Sequence, residues 1–305
     1  MKSAATFSLS IHADYRCRHA GACCTAGWQI PVELHRQPPI GTATLSTDGG
    51  CRFFDTDGHR LCALQRDHGH GALPMACQQF PRRPLLDDRG THIGLSHFCP
   101  TAASMLFRDD VPLEIVSNPP AFPADGEYEG MDARGALPPL LAPDVLMDLD
   151  SYSAWEREAI SLFAREDWTA EHALGALTST TAAVSKWRPG SESLPDVIRH
   201  AFDRHRSAPG PPRADIHLRR PLRHYAAAKV FASWTAYQSD RLSEVVASAR
   251  RALRVLTAEA KRICKESGRP LDESVLYEAS QAADYRILHR VMEDRPIDSS
   301  NRDIG

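Results

Sequence analysis

The chain has 305 residues, 42 % of them hydrophobic and 25 % charged, and its 36 Lys and Arg against 39 Asp and Glu give a net charge of −3. That length allows one large domain or two of ordinary size, and the charge balance speaks against a basic nucleic-acid-binding protein. No run approaches the roughly 20 apolar residues of a membrane helix, and Met1–Tyr15 lacks the apolar core of a signal peptide, so a cytoplasmic chain with no membrane partner is expected.

The first third is broken into short elements by Gly, Pro and Asp. It holds seven of the eight cysteines: Cys17, Cys23, Cys24, Cys51, Cys62, Cys77 and Cys99. Cys51–Asp55 and Arg60–Leu64 flank Asp57-Gly58, a hairpin signal that would set Cys51 nearly opposite Cys62. Pro74 is placed to start a turn carrying Cys77. Cys99 and Pro100 occupy the N-cap and first position of a helix over Thr101–Phe107, where the free N–H groups favour a thiolate.

A proline-rich stretch follows, with Pro119, Pro120, Pro123, Pro138, Pro139 and Pro143 between Asn118 and Pro143. Proline fixes φ and lacks a donor, so this stretch reads as a connection rather than as helix interior or central strand. Beyond it the spacing of apolar residues predicts helices over Tyr152–Arg165, Ala170–Trp187 and Asp196–Arg206, the last opened by Pro195. Further helices are predicted over Pro221–Gln238, over Arg241–Lys265 with Gly268 as C-cap, and over Ser274–Met292 capped by Asp272. Tyr225, Phe231, Trp234 and Tyr237 form an aromatic row that reads as core packing before a ligand pocket. Cys264, alone in its helix, reads as a buried apolar residue.

The expected fold is therefore mainly α: a loop-rich N-terminal cysteine or metal domain with a short β-hairpin (1–117), a Pro-rich connection (118–145), a C-terminal helical bundle (146–295) and a flexible tail (296–305). Charge is uneven along it, at +1 over 1–110, −8 over 111–212, +8 over 213–265 and −4 over 266–305. The basic block is expected to pair with the acidic middle segment inside one fold.

Cysteines crowded in a chain without an export signal point to metal binding rather than disulfides. All seven are candidate ligands. Thiolate ligation of zinc or of an iron–sulfur cluster accumulates negative charge, which Arg16, Arg18, Arg52, Arg82 and Arg83 stand close enough in sequence to offset. No CxxC pair is present, and the gaps after Cys24 are 26, 10, 14 and 21 residues, so the ligands come from several loops and zinc, iron and iron–sulfur all remain open. His12, His19, His68, His70 and His97 are further donors. The CxxxCxxC, Walker A, HExxH and GxSxG patterns are absent, and Gly69-His70-Gly71 follows no strand-like run.

Cys17-Arg18-His19-Ala20-Gly21-Ala22-Cys23-Cys24, followed by Trp28, resembles the CxxCGxCC opening of the cysteine-cluster family of zinc- or iron-chelating domains. Cys51-Arg52-Phe53-Phe54, Leu61-Cys62-Ala63-Leu64-Gln65, the run from Leu73 through Cys77 to Phe80-Pro81-Arg82, and His97-Phe98-Cys99-Pro100 are similar to one branch, the flagellin lysine N-methylases. The resemblance spans roughly residues 14–107, with looser likeness around Leu222–Tyr237 and Tyr277–His289. It implies a metal centre, foremost a [4Fe–4S] cluster with zinc or mononuclear iron as alternatives. It also implies methyl transfer from S-adenosylmethionine to lysines of a protein such as flagellin or another surface protein. The motif's second cysteine falls on Ala20, which leaves His19 or a later cysteine to substitute. A lysine amine must lose its proton before attacking a methyl sulfonium, and Asp14, Glu33 and Tyr225 are candidate bases by position. The alternative is a non-enzymatic protein in which the cysteines close a structural zinc or iron site and the helical half binds a partner. A thiol redox sensor is a third reading.

Overall fold

A computed structural model of the chain describes residues 5–36, 50–54, 62–190, 192–210 and 216–289. It overturns the expectation of a mainly α protein with a single hairpin. The described residues are 52 % helical and 11 % strand, with a five-stranded mixed sheet, and a separate N-terminal cysteine domain is not shown.

The sheet runs in the order β4-β1-β3-β2-β5, from Ile115–Ser117 (β4), Thr6–Leu9 (β1), Gly90–Leu95 (β3), Arg82–Asp87 (β2) and Met131–Asp132 (β5). β1 pairs parallel with β3 and antiparallel with β4, while β2 pairs antiparallel with β3 and parallel with β5. These strands escape a pattern search because they are not alternately apolar. In β1 the buried side chains include Thr6, whose Oγ1 donates to the Phe122 carbonyl at 2.5 Å, and Ser8, which donates to the Leu9 carbonyl at 3.2 Å. β2 opens on two arginines and a proline. The β2–β3 hairpin turns on Asp88-Arg89, with Asp87 paired to Gly90. Gly90 has φ +134°, and a Cβ there would lie 2.3 Å from the Ala5 carbonyl oxygen, so the β1 edge approaches only because no side chain intervenes. Residues 118–145, expected as a connection, contribute β5 and a small hairpin, β6 (Leu140–Ala142) with β7 (Val145–Leu146).

Short helices occupy the cysteine-bearing third: α1 (Ala22–Thr25), α2 (Ala63–His68), α3 (Met75–Gln79) and α4 (Pro100–Ser104). The long helices follow: α5 (Leu149–Ala164), α6 (Ala170–Val184), α7 (Leu194–Arg206), α8 (Ile216–Val230), the single turn α9 (Thr235–Gln238), α10 (Ser243–Ser267) and α11 (Glu273–Asp284), which passes into a π-helical turn, Tyr285–His289. Side-chain oxygens of Asp148, Thr169, Ser193 and Asp272 accept from the first-turn N–H groups of α5, α6, α7 and α11. Gly268 closes α10 in the left-handed conformation at φ +69°. The single helix expected over Pro221–Gln238 is interrupted after Val230. Ala232 takes φ +51°, and its N–H donates to Glu156 Oε1 at 3.0 Å instead of continuing the helix. The tail 296–305 lies outside the described residues.

One core joins sheet and helices. Leu9, Ile11, Leu85 and Leu106 belong to the same buried cluster as Trp155, Phe163, Tyr225 and Leu253. The aromatic row packs onto the sheet: Trp234 Nε1 donates to the Pro84 carbonyl at 3.1 Å, and Tyr237 donates to Asp87 Oδ2 at 2.7 Å. Cys264 is half-buried against the same core. Basic residues of the 213–265 block are met partly by carbonyls: Arg223 donates to the carbonyls of Phe163 and Arg165 at the end of α5, and Arg250 to that of Leu174. No helix among the described residues is long and apolar enough to cross a membrane.

The β2–β3 turn is anchored by charge. Arg89, 7 % exposed, donates to Asp87 Oδ2 at 2.8 Å and to Glu156 Oε2 at 3.1 Å, and its guanidinium lies 4.3 Å from the Tyr152 ring centre. Arg89→Met would leave two buried carboxylates facing each other without a cation. The expected loss is about 3–5 kcal/mol, read as a lowered urea midpoint; a midpoint within error of the parent would refute the anchoring role.

Candidate metal centre

The seven N-terminal cysteines arrive from separate short elements. A turn after Ile11 and His12, closed by the Tyr15 N–H on the His12 carbonyl at 3.0 Å, leads into Cys17. Gly21, at φ +77°, opens α1, and a Cβ there would meet the Phe54 ring at 2.8 Å. α1 then presents Cys23 and Cys24 side by side, their sulfurs 3.9 Å apart. The Cys51 N–H donates to the Cys24 carbonyl at 2.8 Å, which brings the third segment against the second. The expected hairpin leaves one antiparallel bridge, and it pairs Cys62 with Phe54 rather than with Cys51; the Asp57-Gly58 turn lies outside the described residues. Pro74 stands at the N-cap of α3, which carries Cys77, and Glu33 Oε1 accepts from the Met75 N–H at 2.9 Å to hold that helix start. Cys99 stands at the N-cap of α4 without a side-chain cap bond, its sulfur 3.6 Å from the Tyr15 hydroxyl.

All seven line one cavity of about 260 Å³. Tyr15, Trp28 and Phe80 supply an aromatic wall, with Trp28 packed 5.5 Å from Phe80 and 5.4 Å from Phe98. Arg82 is the arginine in the lining, and His19, His70, Gln65, Gln78 and Thr101 add polar groups. Ala20, at the position of the motif's second cysteine, also lines the cavity beside His19.

The thiols polarise one another. Hydrogen bonding among Cys23, Cys24 and Cys51 holds Cys24 well above the usual thiol range, while the contact with Cys24 lowers Cys23 and brings Cys51 down to about 6. Burial, then the charge of Cys23, Cys51 and Cys62, pushes Cys77 up to about 12. Burial also raises Cys17 and Cys62. Cys51 is thus poised as a thiolate among neighbours that resist further negative charge, which is the electrostatic demand a bound cation relieves.

Soft thiol donors in this number suit zinc or an iron–sulfur cluster. Tetrahedral zinc–thiolate geometry needs sulfurs about 3.8 Å apart, and the Cys23–Cys24 pair meets that spacing. Among the described residues, however, no three His, Cys, Asp or Glu side chains stand where they could share one metal ion. The cysteines share a cavity wall, not a single point, and the donor chemistry fits the group without singling out a ligand subset.

The other sequence candidates are sorted by the fold. His12 and His97 are wholly buried away from the cavity lining, their Nε2 atoms 3.3 Å apart, and His68 is exposed in the last turn of α2. Arg83 lies 4.7 Å over the Trp234 ring and Arg52 4.7 Å over Phe53, while Arg16 and Arg18 are exposed. None of the three candidate bases lines the cavity: Asp14 pairs with Arg108, Glu33 holds α3, and Tyr225 donates to Asp284 at 2.8 Å in the core. Sequence reasoning missed Tyr15 and the buried pair Lys229–Asp284. A charge at a core position of an amphipathic helix, as in Ala226-Ala227-Ala228-Lys229-Val230, is the signal that marks such a pair. Comparisons with protein-family models, with curated proteins and with solved structures find no match to this chain.

Proposed function

We propose that this chain holds an iron–sulfur cluster in its thiol-lined cavity and acts as a protein lysine N-methyltransferase that uses S-adenosylmethionine. The observation that carries the metal reading is the gathering of seven sequence-distant cysteines around one cavity of about 260 Å³. The activity rests on the resemblance, and the segments that carry it supply most of that cavity's lining. Cluster ligands would come from Cys17, Cys23, Cys24, Cys51, Cys62, Cys77 and Cys99, and a bound cluster supplies redox-active, Lewis-acidic iron. The chain's own residues do the rest. Arg82 opposes the charge of the thiolates. His70 lines the cavity as a polar group, and burial, then the Arg82 charge, lowers it from the usual imidazole range.

A second reading is favoured by a different observation. The core of the cysteine-bearing segments is small, centred on Leu64 and Leu73. A metal there would serve as a structural staple, without methyl transfer.

Metal and sulfide analysis of anaerobically purified protein separates the two. About four iron and four sulfide per chain, with a brown chromophore, is the expected result. One zinc and no sulfide would overturn the cluster. Metal-dependent transfer of labelled methyl groups from S-adenosylmethionine to protein lysines is expected, and no detectable calorimetric binding of S-adenosylmethionine would leave the structural reading.

A further inference from the structure

The helical half meets the turn that delivers Cys99 through a buried carboxylate. Asp284 is fully buried at the end of α11, where the helix passes into its π turn. Its Oδ1 accepts from Lys229 Nζ at 2.6 Å and from the Tyr225 hydroxyl at 2.8 Å. Its Oδ2 accepts from the backbone N–H of His97 at 2.6 Å, with the His97 ring Nδ1 3.3 Å away. His97 lies two residues before Cys99. The next residue, Phe98, packs 5.1 Å from Tyr285 on the π turn and 5.4 Å from Trp28 on the cavity wall. The same turn is closed by the Cys99 N–H on the Ser96 carbonyl at 3.3 Å. Consecutive residues of the turn that delivers Cys99 are thus held from α11 and its extension, nearly 190 residues away in sequence.

We propose that Asp284 is a positioning residue for the cavity: by accepting from the His97 N–H it fixes the turn that presents Cys99, with Lys229 and Tyr225 holding the carboxylate in place. The proposal rests on reading the cavity as the functional site. A buried ion pair is a poor source of stability, since well-packed apolar side chains of similar volume often do as well or better. An apolar pair could not supply an acceptor aimed at one backbone N–H. Without that acceptor the His97 N–H is a buried donor with no partner, and the turn relaxes to satisfy it.

The test compares two charge-neutral backgrounds so that loss of the ion pair is common to both. Lys229→Met with Asp284→Asn keeps an acceptor at position 284; Lys229→Met with Asp284→Ala removes it. The readout is the rate at which iodoacetamide alkylates Cys99 in metal-free protein, resolved by peptide mass spectrometry and normalised to Cys23 and Cys24. The Asn pair is expected to stay within about twofold of the parent, and the Ala pair to label Cys99 about tenfold faster or more. Equal Cys99 rates in the two backgrounds overturn the proposal. Because no metal is present, that result is separate from failure of the cluster reading, which is decided by iron and sulfide content. If the Ala pair does not fold, hydrogen exchange of the parent decides: the His97 amide is expected to be as protected as core amides of α8, and exchange as fast as in residues 16–20 overturns the proposal.

Discussion

Moving the protein from about pH 7.5 to about pH 5.5 is expected to lower its folding stability, by about 1.4 kcal/mol through His224 alone. His12, His92, His97 and His224 are all held below the usual imidazole range, burial being the largest cause in each case. His224 falls to about 4, its Nδ1 lying 2.8 Å from the Leu106 carbonyl oxygen. In the unfolded chain these rings protonate near pH 6.5, so below that value the unfolded state binds more protons than the native state. Their contribution is complete above about pH 6.5 and declines as pH falls, His224 costing about 1.4 kcal/mol by pH 5.5 and the other three adding to the loss in the same direction. Asp87 and Asp284 act in a lower window. Burial pushes both up, but Arg89 on Asp87, and Lys229 with His97 on Asp284, outweigh it and hold both below the usual carboxylate range. Their stabilisation is complete above about pH 4 and is lost as pH falls below that. Urea titrations at the two pH values measure the loss, and His224→Asn, which keeps a donor for Leu106, should reduce it by about 1.4 kcal/mol. A stability flat between these pH values would show that the four rings are not neutral in the native core.

The long helices were legible because their faces are amphipathic and their ends carry Asp148, Thr169, Ser193, Asp272 and Gly268. The sheet was not. Strand β1 hides Thr6 and Ser8 by bonding their hydroxyls to backbone carbonyls, so burial and polarity part company there. β2 begins with Arg82-Arg83-Pro84 and β3 contains Gly90, His92 and Gly94, which breaks the period-two pattern. The proline-rich stretch was legible as non-helical, but its strand β5 pairs only through Met131 and Asp132, too short for a periodic signal. Crowding of the cysteines in the first third was plain in the sequence, and the seven line one cavity in the fold. Their common cavity depends on contacts such as the Cys51 N–H on the Cys24 carbonyl, which spacing alone does not encode. Lys229 and Asp284, 55 positions apart, meet only once α8 and α11 pack.

Stripping the metal from loaded protein is expected to open the segments between Tyr15 and Phe80 to protease while the sheet and long helices stay folded. Those segments hold helices of four, six and five residues, α1 to α3, far below the roughly 12–15 residues at which even good helix formers become marginal alone. Their own apolar cluster centres on Leu64 and Leu73, and two of the partly buried residues packed on it, Cys62 and Cys77, are candidate ligands. A structural metal contributes on the order of 10 kcal/mol to such a unit, whereas the main core spans β1, β2 and the long helices without any of the seven cysteines. Tryptic cleavage after Arg52 and Arg66 reads the difference. With metal at a hundredfold excess over its dissociation constant, cleavage there is expected to be about a hundredfold slower than in chelated protein. Cleavage after Arg250 and Arg254 on α10 should be unchanged, because that helix packs on α8 and α11. Equal cleavage after Arg52 and Arg66 with and without metal would mean that the cavity thiols do not hold an ion that joins these segments. A simultaneous rise after Arg250 and Arg254 would mean that the metal stabilises the whole fold as one cooperative unit, with the shared core coupling the cysteine segments to the helices more tightly than their separate packing implies.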